Sequence, residues 1–225
     1  MQSVYESAQF VGFSLSPVLW RKLPGSRSAE IAHLAERFLR AAQRLQQLRQ
    51  AAGQPPVRLV LPAVPSQRAN IARVLQQLGM TEQVRVLDGG SHPAFAACDV
   101  TLIASGTATL EAALFGCPMV IAYAMPGLTH WLMRRKALLP WIGLPNILCQ
   151  AAVVPEFIQD QATPAALADA LMHWLNAPHD VATLRERFAQ LHAELAQDTP
   201  RLACDAIEAT LAGTAQATTG ASFAR

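Results

Sequence analysis

Apolar residues fall along this chain in short runs and helical stripes that alternate, with glycine or proline at many of the junctions. Val100 to Ala104 is an apolar run with β-branched members, the pattern of a parallel strand buried on both faces. Ser105-Gly106-Thr107 is a tight turn of small residues. A helix opens at Thr107 and runs through Leu110, Ala113 and Leu114 to a terminal glycine, Gly116. After Pro118, Met119 to Tyr123 reads as the next strand. Strand, turn, helix and strand are thus written in one stretch, and the rest of the chain is organised around it.

Upstream, Ile31, Leu34, Ala35, Phe38, Ala42, Leu45 and Leu48 keep helical spacing from about Ser28 to Ala52, with Glu36, Arg37, Arg40 and Arg44 facing away. Val57 to Leu61 reads as a strand ended by Pro62, and Ser66 to Leu78 as an amphipathic helix stopped at Gly79. Val84 to Leu87 is a third strand. It is followed by a loop, Asp88-Gly-Gly-Ser-His92, and a short helix around Pro93 to Cys98. Downstream, Gly127 to Leu139 reads as a helix with Arg134-Arg-Lys136 at its end. Ile142 to Leu148 reads as a short extended segment. Thr163-Pro164 is a helix start with cap and first-turn proline, and that helix runs to Trp174 and Leu175. Two further amphipathic helices follow, about Asp180 to Gln197 and Arg201 to Leu211. Met1 to Trp20 is apolar in places but irregular, with neither the basic start nor the small-residue cleavage site of a secretory leader.

Strands alternating with helices predict an α/β fold: a Rossmann-like parallel sheet with helices on both faces, right-handed crossovers and a helical C-terminal extension. The predicted organisation is an irregular start over 1–22, the Rossmann-like domain over 23–160, C-terminal helices over 161–212 and a small, polar, disordered tail over 213–225. Composition changes this picture little. At 225 residues the chain has room for one substantial domain with appendages, and a net charge of +2 does not call for nucleic acid. It is 52% hydrophobic, yet no uncharged apolar run reaches the roughly 18 residues of a membrane span. Cys98, Cys117, Cys149 and Cys204 are scattered without a CxxC pair and read as thiols in a reducing compartment. The six histidines show no metal-ligand spacing, and neither metal nor cofactor is expected.

The candidate chemistry sits at the turn after Ala104. The first amides of a helix have no partner within it, and the helix dipole puts partial positive charge there, so the start at Thr107 suits an anion. Gly106 lets the backbone approach closely, and the hydroxyls of Ser105, Thr107 and Thr109 are further donors. Glu111 lies one turn inside, on the face of Thr107. A carboxylate there is poor for phosphate but fits paired sugar hydroxyls one group away. The alternative is a solvated Glu111 behind a Ser105 N-cap. Arg27, in Leu23-Pro-Gly-Ser-Arg27, can fork onto a phosphate or be an ordinary surface arginine. His92 reads as a plain loop histidine, with a ligand contact as the alternative, because open α/β sheets bind ligands where strands end.

Leu23-Pro-Gly-Ser-Arg27, Ala104-Ser-Gly-Thr-Ala-Thr-Leu-Glu111, Pro118-Met-Val-Ile-Ala-Tyr123, Leu144-Pro-Asn146 and Val154-Pro-Glu156 with Gln159 stand in the order found in lipid-A-disaccharide synthases. From about Leu23 to about Leu211 the chain resembles the C-terminal, UDP-sugar-binding domain of that family, whose members are GT-B glycosyltransferases with two Rossmann-like domains facing across a cleft. The resemblance implies transfer of 2,3-diacylglucosamine from its UDP-linked form to 2,3-diacylglucosamine 1-phosphate, with inversion at the anomeric carbon and without an essential metal. It implies a place in the cytoplasm, peripheral to the inner membrane of a Gram-negative bacterium. The basic and aromatic 127–139 stretch is a candidate for lipid contact.

Carried over residue by residue, Ser26 and Arg27 meet the diphosphate, and Ser105, Gly106, Thr107 and Thr109 cradle it. Glu111 grips the ribose, and Asn146 and Gln159 contact the donor sugar or the facing domain. The family's general base, an aspartate, belongs to the acceptor domain and has no counterpart here, so the isolated chain is expected to bind UDP weakly and turn nothing over. It is also expected to self-associate or to pair with a separate acceptor-domain chain. Cys149-Gln-Ala151 stands where the family has Gly-Arg-Glu, and Trp20-Arg21-Lys22 where it has apolar residues. The competing readings are a nucleotide-binding module without chemistry of its own and another UDP-sugar enzyme, a peptidoglycan N-acetylglucosaminyltransferase or a UDP-sugar epimerase.

Overall fold

The computed structural model describes residues 10–14, 27–63, 65–104, 106–124 and 139–219. They divide into two compact units, Met1–Leu191 and His192–Arg225. The first unit is built on a six-stranded sheet: β1 (Phe10–Ser14), β2 (Arg58–Ala63), β3 (Val84–Asp88), β4 (Val100–Ala104), β5 (Met119–Tyr123) and β6 (Glu156–Ile158). The strand order is β3-β2-β1-β4-β5-β6, and every pairing is parallel. All five residues of β4 are buried.

The central strand is the one that sequence reasoning passed over. β1 lies within the start expected to be irregular, and it pairs with β2 (Phe10 to Arg58) and with β4 (Val11 to Val100). Its Phe-Val-Gly-Phe-Ser sequence has neither the alternation of a half-buried strand nor flanking turn residues, which leaves pattern reading little to work on. β2 also runs through Pro62 rather than stopping before it. The β1 register covers Arg58 to Val60 only, so Pro62 pairs with β3 alone, through Leu87, and its missing N–H falls where β2 has become an edge.

Helices cover both faces. α1 (Arg27–Ala51) packs on α2 (Arg68–Gln77) and on α6 (Pro164–Asn176), while α3 (Ser91–Ala97), α4 (Thr107–Leu114) and α5 (Leu144–Cys149) pack together in sequence. A single 3-10 turn at Pro65–Gln67 precedes α2. Phe38, Leu39, Ala42 and Leu45 of α1 are buried in the core. Arg37, expected to face away, instead donates from Nη1 to the Gln159 carbonyl at 3.0 Å and ties α1 to the end of β6. The start of α6 is as predicted: the Thr163 hydroxyl accepts from the Ala166 amide, and Pro164 occupies the first turn. Trp174 of α6 donates its indole N–H to the Met119 carbonyl at 3.1 Å, fastening that helix to β5.

α7 (Pro178–Leu195) reaches back over two helix ends. Arg185 Nε donates to the Gly116 carbonyl after α4, and Arg187 Nη2 donates to the Cys149 carbonyl at the end of α5. Cations at helix C-termini complement the dipole. The break between the units falls inside α7, so α6 belongs to the first unit and not to a separate helical domain. In the second unit, α8 (Thr199–Thr219) starts with Asp198 accepting from the Arg201 amide. It continues through 213–219, where the sequence predicts a disordered tail. Alanine and threonine there provide ordinary helix formers without a breaker after Gly213. The predicted helix over 127–139 lies outside the described residues except for Leu139.

Three of the four cysteines are buried, and Cys204 is exposed. Burial first, and then the charge of Asp99, pushes the Cys98 thiol up to about 12. Burial likewise holds Cys117 well above the usual thiol range. A thiolate is the reactive species, so native protein treated with a thiol reagent at pH 8 should release one rapid equivalent, from Cys204, with the others following only on denaturation. Two or more rapid equivalents would contradict this packing.

Candidate functional site

The strand order reverses between β1 and β4, and the crevice at their C-terminal ends is where a doubly wound sheet accepts a ligand. Ser14 and Ile103 are register partners there. From β4 the chain turns through Gly106 into α4; from β1 it leads to α1, which starts at Arg27. Ser26, Ser105 and the Arg27 side chain lie outside the described residues.

Gly106 occupies the N-cap of α4 at φ 142° and ψ −168°, a conformation open to glycine and strained for any residue with a Cβ. Among the described residues no side chain caps this helix start. Thr107, its first residue, is exposed, while Ala108, Ala112 and Ala113 are buried and let α4 approach the sheet closely. Thr109 differs from its neighbours. It is fully buried, its hydroxyl donates to the Gly106 carbonyl at 2.7 Å, and the same oxygen accepts from the Leu144 amide at 3.3 Å. The expectation that Thr109 donates to a ligand is therefore corrected: its one proton is already used, and it braces the turn from behind.

Glu111 is half-exposed on the next turn of α4, and its Oε2 lies 3.3 Å from Nε2 of His92. His92 stands in the first turn of α3, which begins at Ser91, two residues earlier than predicted. Gly89 (φ 63°) and Gly90 (φ 73°) make the left-handed turn that lets it start there. The histidine ring packs against Phe115 in a tilted arrangement, centroids 5.4 Å apart, and Phe115 in turn lies 6.4 Å from the buried Phe95. Sequence reasoning left His92 out of the site because its partner is 19 residues away and is met only through packing of α3 on α4.

Asn146 is not in an extended segment. Leu144-Pro-Asn146 opens α5, with Pro145 in the first turn, where a missing N–H costs nothing. Asn146 is fully buried and uses its whole hydrogen-bonding capacity within the chain. Its Nδ2 donates to the Val154 carbonyl (2.9 Å) and to Glu156 Oε1 (2.7 Å), and its Oδ1 accepts from the amides of Val153 (2.8 Å) and Val154 (2.9 Å). Glu156 also accepts from the amides of Ile142 (2.8 Å) and Gly143 (3.0 Å). A Cβ on Gly143 would come within 2.3 Å of Ile121, which explains a glycine at the neck of this network. Asn146 thus ties α5 to the segment that leads into β6, and its amide is fully used in doing so. Gln159 follows β6 at φ 55°, an uncommon conformation for this residue type, with its carbonyl held by Arg37.

The structure brings Gly106, Thr107, Thr109 and Glu111 together within the first two turns of α4 and its cap. Gln159 stands at the end of β6, on the far side of the sheet from β3. A cavity of about 460 Å³ lies at that side too, lined by Trp141, Val153, Val154, Glu156, Ile158 and Gln161 among others; none of the α4 residues line it. The turn at α4 differs from that cavity in offering directed polar groups, the free amides of a helix start and a carboxylate one turn away. Among the described residues no three His, Cys, Asp or Glu side chains gather as metal ligands.

Comparison with known proteins agrees with the motifs. The family model for lipid-A-disaccharide synthetase matches residues 16–207. The chain is 52% identical over 195 residues to the lipid-A-disaccharide synthase of Albidiferax ferrireducens, covering 85% of this chain and 49% of that protein. It is 53% identical over 194 residues to the enzyme of the same name from Verminephrobacter eiseniae, covering 84% and 49%. The solved structure of the spinosyn forosaminyltransferase SpnP is a looser likeness, at TM-score 0.49 and 18% identity over 87% of this chain and 43% of that one. The chain spans about half the length of the curated relatives it matches. With more than half its residues matched by one family model, and with relatives at this identity, the chain belongs to the lipid-A-disaccharide synthase family.

Proposed function

We propose that this chain is the donor-binding half of a lipid-A-disaccharide synthase, an inverting GT-B hexosyltransferase that uses UDP-2,3-diacylglucosamine as donor and 2,3-diacylglucosamine 1-phosphate as acceptor. The observation that carries the reading is the turn at Gly106: an uncapped helix start at the switch point of the sheet, with Glu111 one turn inside. The amides at Thr107 and the Ser105 and Thr107 hydroxyls receive the diphosphate, with Ser26 and Arg27 closing on it from the start of α1. Glu111 takes the ribose hydroxyls. Gln159, which follows β6, takes part in the donor-sugar contact.

In the reaction the bond from the anomeric carbon to the UDP oxygen breaks as the acceptor's 6-hydroxyl attacks from the opposite face. Its proton goes to a general base that the resemblance assigns to the acceptor-binding part of family members. This chain's share is stabilisation of the leaving diphosphate, where negative charge grows. The helix start supplies about 0.3–1 kcal/mol. A charge-assisted bond from Arg27 supplies about 1.5–3 kcal/mol. The acylated substrates put the reaction at a membrane surface, and among the described residues no helix is long and apolar enough to cross one.

Calorimetric titration of UDP into the folded 225-residue chain tests this reading. Saturable binding is expected. A sample with native circular dichroism and no heat of binding would overturn it.

A further inference from the structure

Resting on the reading of Glu111 as the ribose ligand, we propose that His92 is a positioning residue for that carboxylate. His92 Nε2, on α3, lies 3.3 Å from Glu111 Oε2, within ion-pair reach, and Oε1 has no partner among the described residues. One oxygen is thereby fixed and the other left for a pair of hydroxyls. The pair is too exposed to be explained by stability, since ion pairs at side-chain exposures of 63% and 41% contribute little to folding. Its effect lies elsewhere. A free glutamate loses rotamer freedom when it grips a ligand, and a glutamate already held does not lose it again.

The histidine is itself held. It sits in the first turn of a helix whose entry is set by two successive left-handed glycines, Gly89 and Gly90. Its ring lies on Phe115, which is one turn beyond Glu111 on the same helix, and Phe115 leans on the buried Phe95. Glu111 and the C-cap residue Phe115 therefore flank the ring, the carboxylate at Nε2 and the phenyl tilted at 41° to the imidazole. For this the imidazole must carry its proton on Nε2, the donor to Glu111.

The test compares UDP with 2′,3′-dideoxy-UDP, which keeps the base and diphosphate but offers Glu111 no ribose hydroxyls. The full-length chain, His92→Ala and His92→Gln are titrated with both. His92→Ala should weaken UDP about three- to tenfold by leaving Glu111 unordered, and should change dideoxy-UDP less than about twofold. His92→Gln, whose side-chain amide can donate in place of Nε2, should recover most of the loss. Equal weakening of both ligands would mean that His92 only supports the fold of α3, and unchanged affinity for both would mean that it does nothing for the site; either overturns the proposal. A wild-type chain that binds UDP no better than the dideoxy compound would instead overturn the assignment of Glu111 to the ribose, and this proposal with it.

Discussion

Asn146→Ala is expected to leave the first unit barely folded or unfolded at 37 °C, although Asn146 touches no surface. The substitution leaves the Val153 and Val154 amides and the Val154 carbonyl without their side-chain partner in a buried setting, and takes one donor from Glu156. Each buried group left unpaired costs roughly 1–3 kcal/mol. Even with partial relaxation the total is about 3–5 kcal/mol, at the upper end of what single substitutions do. Native domains hold only about 5–15 kcal/mol in reserve. Urea denaturation followed by circular dichroism measures it directly. A loss under about 1 kcal/mol would show that the network is not what holds α5 in place.

Asn146→Asp is the sharper companion, because it only exchanges the nitrogen that faces Glu156 and the Val154 carbonyl for an oxygen. One carboxylate oxygen still accepts from the Val153 and Val154 amides. The other now opposes Glu156 Oε1 and the Val154 carbonyl, both acceptors. The new acid must therefore stay protonated to fit, and its pKa in the folded state is raised above the roughly 3.9 of an unfolded aspartate. The unfolded chain then binds fewer protons than the folded one at neutral pH, so stability falls as pH rises. Asn146→Asp should come nearest the parent near pH 4, where its single acid proton replaces one of the two amide hydrogen bonds, and lose stability progressively above it, whereas Asn146→Ala should be destabilised throughout.

The same network shows where reading the sequence succeeds and where it stops. β4, α4 and β5 were legible almost to the residue, because an apolar run, a small-residue turn and a Gly-Cys-Pro stop all follow one another without interruption. β1 was not, because its Phe-Val-Gly-Phe-Ser sequence shows no alternation and Gly12 interrupts its apolar residues. α5 was misread because Leu-Pro-Asn has the composition of an extended segment, while a proline in a helix's first turn looks the same in sequence. Thr109, Asn146 and Glu156 come from three motifs that look like separate ligand contacts. In the structure they form one frame around the start of α5, with Glu156 and Thr109 receiving the amides of residues 142 to 144. A polar residue that completes a core and one that meets a ligand carry the same letter, and only the tertiary partners tell them apart. His92 is the reverse case, a residue set aside as a loop histidine that packing brings to Glu111.

Glu111→Ala separates the two halves of the proposed donor site. Removing a carboxylate that bonds both ribose hydroxyls should cost UDP binding about 1.5–3 kcal/mol, roughly a ten- to hundredfold rise in Kd. A second effect opposes this. The carboxylate repels the diphosphate, and its removal relieves that repulsion. At roughly 8 Å through water the relief is about 0.5 kcal/mol, so the lost hydrogen bonds win. The opposing signs make the experiment specific when inorganic pyrophosphate is titrated alongside UDP. Pyrophosphate has no ribose, so Glu111→Ala should bind it as well as the parent or up to about twofold better, the gain shrinking as salt screens the charge. UDP weakened with pyrophosphate unchanged or improved places the ribose on Glu111 and the phosphates at the turn before Thr107. Weakening of both in equal measure would mean that the substitution disturbs α4 itself. Unchanged UDP binding would remove Glu111 from the site and return it to the solvated surface of its helix.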